Sequence, residues 1–177
     1  MPVIGVYWGR FNPPHKGHLS VIRKFRDRYD LIIAIGSSER KDEKTNPFSG
    51  AERKRMMEAY LREGGIRGVR VVALPDGKSE SWAIDNLIRK CHPEMLILST
   101  EKSHLAALAE QRLPVVRFRR TGKVSSTQIR DSLAAGDGRW KTLTGKSVVK
   151  LVGELDGTRR IRRAYVIAEG KEGTAPG

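Results

Sequence analysis

The chain has little of what covalent cross-links, cysteine-based metal sites or membrane spans require. Cys91 is the only cysteine among 177 residues, so an internal disulfide or a paired-cysteine metal site is excluded. No apolar run approaches the ~20 residues of a membrane-spanning helix. The first residues lack the basic segment and apolar stretch of a signal peptide. These absences predict a protein of the reducing cytoplasm that has no membrane partner.

Acidic residues are also scarce, with 20 Asp and Glu against 34 Lys and Arg and a net charge of +14. Such a surplus attracts polyanions, of which nucleoside triphosphates and nucleic acids are two candidates. Aromatic residues make up only 6%, and no RNA-binding signature or aromatic platform accompanies the basic run 159–163. We therefore expect nucleic-acid binding to be an accessory property at most, and the role of this run stays open.

Short apolar runs alternate with amphipathic helical segments along most of the chain. The continuous run 31–35 is typical of a strand that is buried on both faces of a parallel sheet. The spacing suits β-α-β crossovers. We predict an α/β, Rossmann-like, doubly wound parallel five-stranded sheet with C-terminal helices. Residues 1–165 should form a single domain, and 166–177 a flexible tail.

One stretch, 9–19 (GRFNPPHKGHL), follows the first strand and opens the first helix. Pro13 and Pro14 favour extended conformations, so the helix should not begin before His15. A helix N-terminus attracts anions, and His15, Lys16 and His18 add donors in the first turn. The stretch predicts a phosphate cradle.

Two glycines and one alternative belong to this stretch. Gly9 is expected to allow a turn where a side chain would clash, and Gly17 to leave room for a ligand near the backbone. His18 also lies in register with Ile22 and Phe25, so a buried core position is the alternative for it.

A second candidate anion site follows the last strand. Ser125 and Gln128 have capping-box spacing, and Ser126, Thr127 and Arg130 add hydroxyl groups and a guanidinium to the same helix start. Arg130 can bind phosphate oxygens in a planar fork. Ser and Thr are common at helix starts, so a plain cap is the alternative for this segment.

The motifs resemble those of a known superfamily. His-x-Gly-His at 15–18, within Gly-Arg-Phe-x-Pro-x-His-x-Gly-His at 9–18, is similar to the nucleotidyltransferases and most similar to the archaeal nicotinamide-nucleotide adenylyltransferases. Ser-x-Thr-x-Ile-Arg at 125–130 resembles their second signature. The resemblance covers nearly all of the first 155 residues.

The resemblance implies transfer of AMP from ATP to nicotinamide mononucleotide, with Mg²⁺ as cofactor, pyrophosphate as leaving group and a homo-oligomeric assembly. It implies that His18 contacts the α-phosphate while His15 and Arg130 stabilise the pyrophosphate. An ionised phosphate nucleophile needs no general base, and positioning and charge neutralisation carry the rate. No protein metal ligand is expected, because the cation can bridge phosphate oxygens. The implied ATP-binding residues are Gly9, Arg10, Phe11, Lys16, Gly17, Ser125, Ser126 and Thr127.

The implied acceptor-binding residues are Asp76, Trp82 and Arg53. Trp82 is equally compatible with the core, and Arg53 with an exposed helix charge. The family's asparagines near Asp76 are absent, and its Gly-Asn after the fourth strand is Glu101-Lys102 here.

These departures leave the acceptor open, and a flavin, a sugar phosphate or another phosphorylated metabolite is the alternative. The charged loop Glu39–Asn46 is a candidate lid for the same site.

Overall fold

The computed structural model describes residues 2–120 and 122–172. No helix in these residues is both long and apolar enough to cross a membrane. The elements in chain order are β1 (Ile4–Gly9), α1 (Lys16–Arg26), β2 (Asp30–Ile35), α2 (Gly50–Glu63), β3 (Arg70–Ala73), α3 (Glu80–Cys91), β4 (Met95–Ser99), α4 (Ser103–Glu110), β5 (Val115–Phe118), α5 (Ser126–Ala135), α6 (Lys146–Glu154) and α7 (Gly157–Glu172). Short 3₁₀ turns precede α4 and α6.

The strands form one parallel sheet in the order β3-β2-β1-β4-β5, which confirms the predicted fold. β1 lies in the middle and pairs with β2 on one side and β4 on the other. The chain therefore moves outward from β1 to β3 and then crosses back to β4. Ligands of such sheets bind beyond the carboxyl ends of the strands at this reversal, between β1 and β4.

Both faces of the sheet are covered, which explains the continuous apolar runs. Leu31, Ile33 and Ile35 pack into a core with α1, α2 and the C-terminal helices. Ile32 and Ala34 point to the other face and pack against α3 and α4. The side-chain alternation of a strand thus feeds two separate cores.

Local hydrogen bonds end the helices that carry the site. α1 ends at Arg26, and the N–H groups of Arg28 and Tyr29 both donate to Phe25 O. Asp30 begins β2, where its N–H donates to Val3 O. α5 ends at Ala135, and its C-cap Gly136 is left-handed with φ 75°.

The C-terminal helix α7 packs through Ile161 and Ala164, which are buried. Its backbone continues through residue 172 and so includes the first part of the predicted tail. The rest of that tail, 173–177, lies outside the described residues. The domain boundary at 165 therefore stays a prediction.

Candidate active site

The loop between β1 and α1 is held from outside by side chains. Its two prolines have no N–H groups, so the loop has few donors of its own for its carbonyl oxygens. These oxygens need donors from elsewhere in the chain. Four carbonyl oxygens each accept one side-chain hydrogen bond: Arg10 O from Arg53 (2.7 Å), Asn12 O from Arg130 (2.8 Å), Pro13 O from Ser126 (2.9 Å) and Pro14 O from Thr144 (2.7 Å). These four hydrogen bonds hold the backbone of the β1–α1 loop in one position.

The two histidines form the cap of α1. His15 is the N-cap, and its Nδ1 accepts the Gly17 N–H at 3.1 Å. His18 Nδ1 accepts the His15 N–H at 3.2 Å, so the pair forms a reciprocal capping box. The rings stack with centroids 3.6 Å apart. Because both Nδ1 atoms accept, each neutral ring carries its hydrogen on Nε2 and can donate it to a ligand.

Burial keeps both imidazoles neutral. Burial and, to a smaller extent, the positive charge of Arg120 together lower the pKa of His15 to about 3. Burial also lowers the pKa of His18 well below its usual range, with added repulsion from His15, Arg120 and Lys102. At neutral pH the pair therefore presents N–H dipoles and no net charge.

Gly9 and Gly17 leave space that aromatic rings of the site occupy. Gly9 is not left-handed; a Cβ there would lie 2.9 Å from Phe11 Cζ, so close packing replaces the expected turn. Phe11 itself carries the positive φ, 49°, and its ring meets the His18 ring at 4.8 Å. A Cβ on Gly17 would lie 3.0 Å from His15 Cε1, so the space at this glycine is filled by imidazole.

We call the cavity beside these rings the histidine cavity. Its volume is about 120 Å³, and it lies where β1 and β4 diverge. The structure brings most of the predicted ATP residues to it. Its lining includes His15, His18, Arg130, the range 9–12 and the range 125–127.

Two residues that line this cavity each carry one buried polar atom without a hydrogen-bond partner of normal geometry among the described residues: Arg130 Nε and Asn12 Oδ1. The rest of the Arg130 guanidinium is engaged, since Nη1 donates to Asn12 O and Nη2 donates to Thr127 Oγ1 at 3.1 Å. Tyr165 on α7 also interacts with this guanidinium. Ser125 caps α5 by accepting the Gln128 N–H at 3.1 Å. An unpaired buried donor or acceptor is costly unless a ligand or water pairs it.

A second cavity of about 510 Å³, the outer cavity, lies on the other side of Trp8. Asp76 lines it and accepts two bonds from Ser37, at 2.7 Å from the N–H and 2.5 Å from the hydroxyl. Many of its other lining groups are charged, including Arg40, Glu80, Glu101 and Lys102, and His104 Nδ1 lies 2.8 Å from Glu80 Oε2. Four residues line both cavities and form the boundary between them: Trp8, Gly9, Arg10 and Lys102.

Arg53 is neither exposed nor directed into a cavity. It is fully buried and donates to the carbonyl oxygens of Arg10, Gly36, Ser37, Phe48 and Ser49. Burial lowers the pKa of its guanidinium to about 10, so it stays charged at neutral pH. Its placement favours a scaffolding role over contact with an acceptor.

Trp82 and Lys16 are also placed away from the lining residues of these two cavities. The Trp82 side chain packs over Gly77 and remains 40% exposed, so it is not core either. Lys16 is exposed on α1, where its N–H donates to Leu143 O.

Three further residues line the histidine cavity: Trp8, Lys102 and Arg120. Sequence reasoning assigned no role to Trp8 or Arg120, and it noted Lys102 only as a departure from the family on the acceptor or base side of the site. Each lies at or just past the carboxyl end of a strand, β1, β4 or β5. Ligands of parallel sheets bind at the carboxyl ends of the strands. If this rule is applied to every strand end, and not only to the ends that carry motifs, it finds these three residues.

The starts of α1 and α5 therefore face one cavity at the reversal in strand order. The chain belongs to the cytidylyltransferase-like family, whose model matches residues 6–132. It is 34% identical over 92% of its length to the nicotinamide-nucleotide adenylyltransferase of Pyrobaculum arsenaticum, covering 94% of that protein. It is 31% identical to the protein of the same name from Pyrococcus abyssi, with 95% of this chain and 92% of that protein covered.

A solved structure has the same fold. It is a bifunctional NMN adenylyltransferase/ADP ribose pyrophosphatase from Francisella tularensis, complexed with AMP and a Mn ion. The TM-score is 0.73 and the identity 23%, with all of this chain aligned to 57% of that longer chain.

Proposed function

We propose that this protein is a nicotinamide-nucleotide adenylyltransferase, which joins AMP from ATP to nicotinamide mononucleotide and releases pyrophosphate. The observation that carries the proposal is the convergence of the 15–18 and 125–130 motifs on the histidine cavity. The names of relatives that match about nine-tenths of the chain support the nicotinamide acceptor.

In this reaction a phosphate oxygen of the acceptor forms a bond to the α-phosphorus of ATP. The bond between that phosphorus and the bridging oxygen breaks, and its electron pair leaves with pyrophosphate. His18 Nε2–H donates to the α-phosphate, while His15 Nε2–H and the Arg130 guanidinium donate to the departing pyrophosphate. The acceptor lies in the outer cavity, so its phosphate meets ATP at the boundary residues. Preorganised donors supply the rate enhancement, and no side chain takes a proton.

A divalent cation, Mg²⁺ in the cell, is part of the proposal. No group of three His, Cys, Asp or Glu side chains suited to a metal occurs in residues 2–120 and 122–172. The unpaired Asn12 Oδ1 in the histidine cavity can accept from a cation-bound water, which fits a hydrated ion held mainly by phosphate oxygens. Such an ion neutralises phosphate charge. We expect a chelator to stop turnover and added Mg²⁺ to restore it.

The test is pyrophosphate release and dinucleotide formation from ATP and Mg²⁺ with a panel of acceptors. The panel contains nicotinamide mononucleotide, its acid form, flavin mononucleotide and phosphopantetheine. We expect dinucleotide with a nicotinamide-type mononucleotide and no product with the other two. Product with only flavin mononucleotide or phosphopantetheine would overturn the acceptor while keeping the nucleotidyltransferase chemistry.

A further inference from the structure

Lys102 occupies a special place between the two cavities. It is the last residue of the 3₁₀ turn after β4, on the β4 side of the reversal in strand order. It lines both the histidine cavity and the outer cavity. Its Nζ lies 5.9 Å from the centroid of the Trp8 ring, which forms part of the same boundary.

The Lys102 ammonium is a cation without a direct counterion. Its neighbour Arg120 pairs with Glu101 at 3.2 Å, whereas Lys102 makes no hydrogen bond or ion pair to any side chain that the structure describes. Burial, together with repulsion from Arg10 and Arg120, lowers its pKa to about 8. Asp76 and Glu80 oppose this shift from a longer range. A half-buried charge held in this way is costly until an anion reaches it.

The proposed reaction supplies such an anion. Two phosphates that repel each other must approach to about 3–3.5 Å before the new bond can form. A cation between them reduces this repulsion, and it acts best where water is partly excluded. Lys102 is at the boundary where the acceptor phosphate must pass to reach ATP.

We propose that Lys102 binds the phosphate of the acceptor and holds it, as a phosphomonoester anion, against the α-phosphate of ATP. This inference rests on the proposed function and deepens it. It divides the boundary residues into two roles, since Trp8 supports the lysine stem and Lys102 contacts the reacting group. It also predicts that the protein selects acceptors that carry a phosphate over the corresponding nucleosides.

The experiment compares the mononucleotide with its phosphate-free form. Binding of nicotinamide mononucleotide and of nicotinamide riboside is measured by calorimetry on the full-length protein, saturated with α,β-methylene ATP. The variants are Lys102→Met, Lys102→Arg and, as matched control, Lys90→Met at an exposed position on α3. Methionine keeps most of the stem's packing, and denaturant unfolding of each variant checks the fold.

We expect Lys102→Met to weaken binding of the mononucleotide at least about tenfold and that of the riboside less than about twofold. Lys102→Arg should retain mononucleotide binding to within about threefold, and Lys90→Met should match the wild type. In turnover, the KM for the mononucleotide should rise while the KM for ATP changes little.

Three outcomes would overturn the inference, and they are distinguishable. Equal losses for mononucleotide and riboside would show a packing role. Loss of ATP affinity alone would place Lys102 on the triphosphate. A wild-type protein that makes no dinucleotide would remove the proposed function, and the inference with it.

Discussion

The histidine cavity and the outer cavity share a wall but are built differently. In the first, the functional groups are bonded to the backbone that carries them: His15 and His18 cap their own helix, and Arg130 holds Asn12 O. In the second, exposed charged side chains such as Glu80 and Glu101 project from loops and helix starts. The hydrogen bonds of His15, His18 and Arg130 in the first cavity also hold the local backbone, so substitution of these residues affects the fold as well as the cavity.

The proposed function assigns different tasks to the two cavities. The donors around the phosphates need one fixed geometry in adenylyl transfer. The proposed acceptor side includes Glu101 and Lys102, which line the outer cavity.

The strongest test of the comparison is His18→Ala. It removes a donor to the α-phosphate, and we expect kcat to fall about 100- to 1000-fold. Steady-state kinetics with both substrates saturating provides the measurement. His92→Asn, at an exposed left-handed position, is the control and should leave kcat unchanged. A fall of less than threefold in His18→Ala would remove the role assigned to this ring.

Arg53→Met tests whether the hydrogen bonds of the buried Arg53 side chain stabilise the loops that line both cavities. The substitution leaves the carbonyl oxygens of Arg10, Gly36 and Ser37 without their donor. We expect the free energy of unfolding to fall by about 3 kcal/mol or more, measured by urea denaturation. The exposed neighbour Arg55→Met, which loses only a surface pair with Glu154, should cost less than about 1 kcal/mol. Equal, small losses in both variants would contradict the scaffolding role.

We expect the free energy of unfolding to fall on mild acidification, before the pH reaches the range in which carboxylates take up protons. The folded protein keeps His15 neutral until about pH 3, whereas the unfolded chain takes up a proton near its usual pKa of about 6.5. The unfolded state therefore binds more protons between these values, and stability falls as pH falls below about 6.5. The slope for this residue approaches about 1.4 kcal/mol per pH unit.

Denaturant unfolding at pH 7.5, 6.5 and 5.5 measures this slope. His15→Asn keeps an N-cap acceptor but does not titrate, so its stability should change less over the same range. Identical slopes in wild type and variant would show that His15 is not held neutral.

The smallest effect is expected from Trp82→Ala. Because Trp82 packs over Gly77 outside the cavity lining, we expect the KM for the acceptor to change less than about twofold. Initial rates at varied acceptor concentration, with ATP saturating, decide the point. A tenfold rise in KM would restore Trp82 to the acceptor site, as the family resemblance implies.

The fold and the histidine cavity were largely predictable because their signals are local. Strand-length apolar runs, two prolines before His15 and Ser125 before α5 fix elements through neighbours in sequence. The positions of Arg53 and Trp82 away from the outer cavity were not predictable in this way. The burial of Arg53 depends on five carbonyl groups from two loops, and the exposure of Trp82 depends on how its side chain lies on Gly77. The spacing of residues in the sequence does not predict such contacts between distant segments.

The carbonyl bonds that fix the β1–α1 loop also set an order of assembly. They join this loop to partners 43, 113, 118 and 130 residues further along the chain. On a ribosome, β1 and its loop emerge first, but three of the four donors belong to segments made last. A growing chain can therefore form part of its sheet early, yet this loop acquires its full set of carbonyl bonds only after α5 and the segment with Thr144 have been made and have docked.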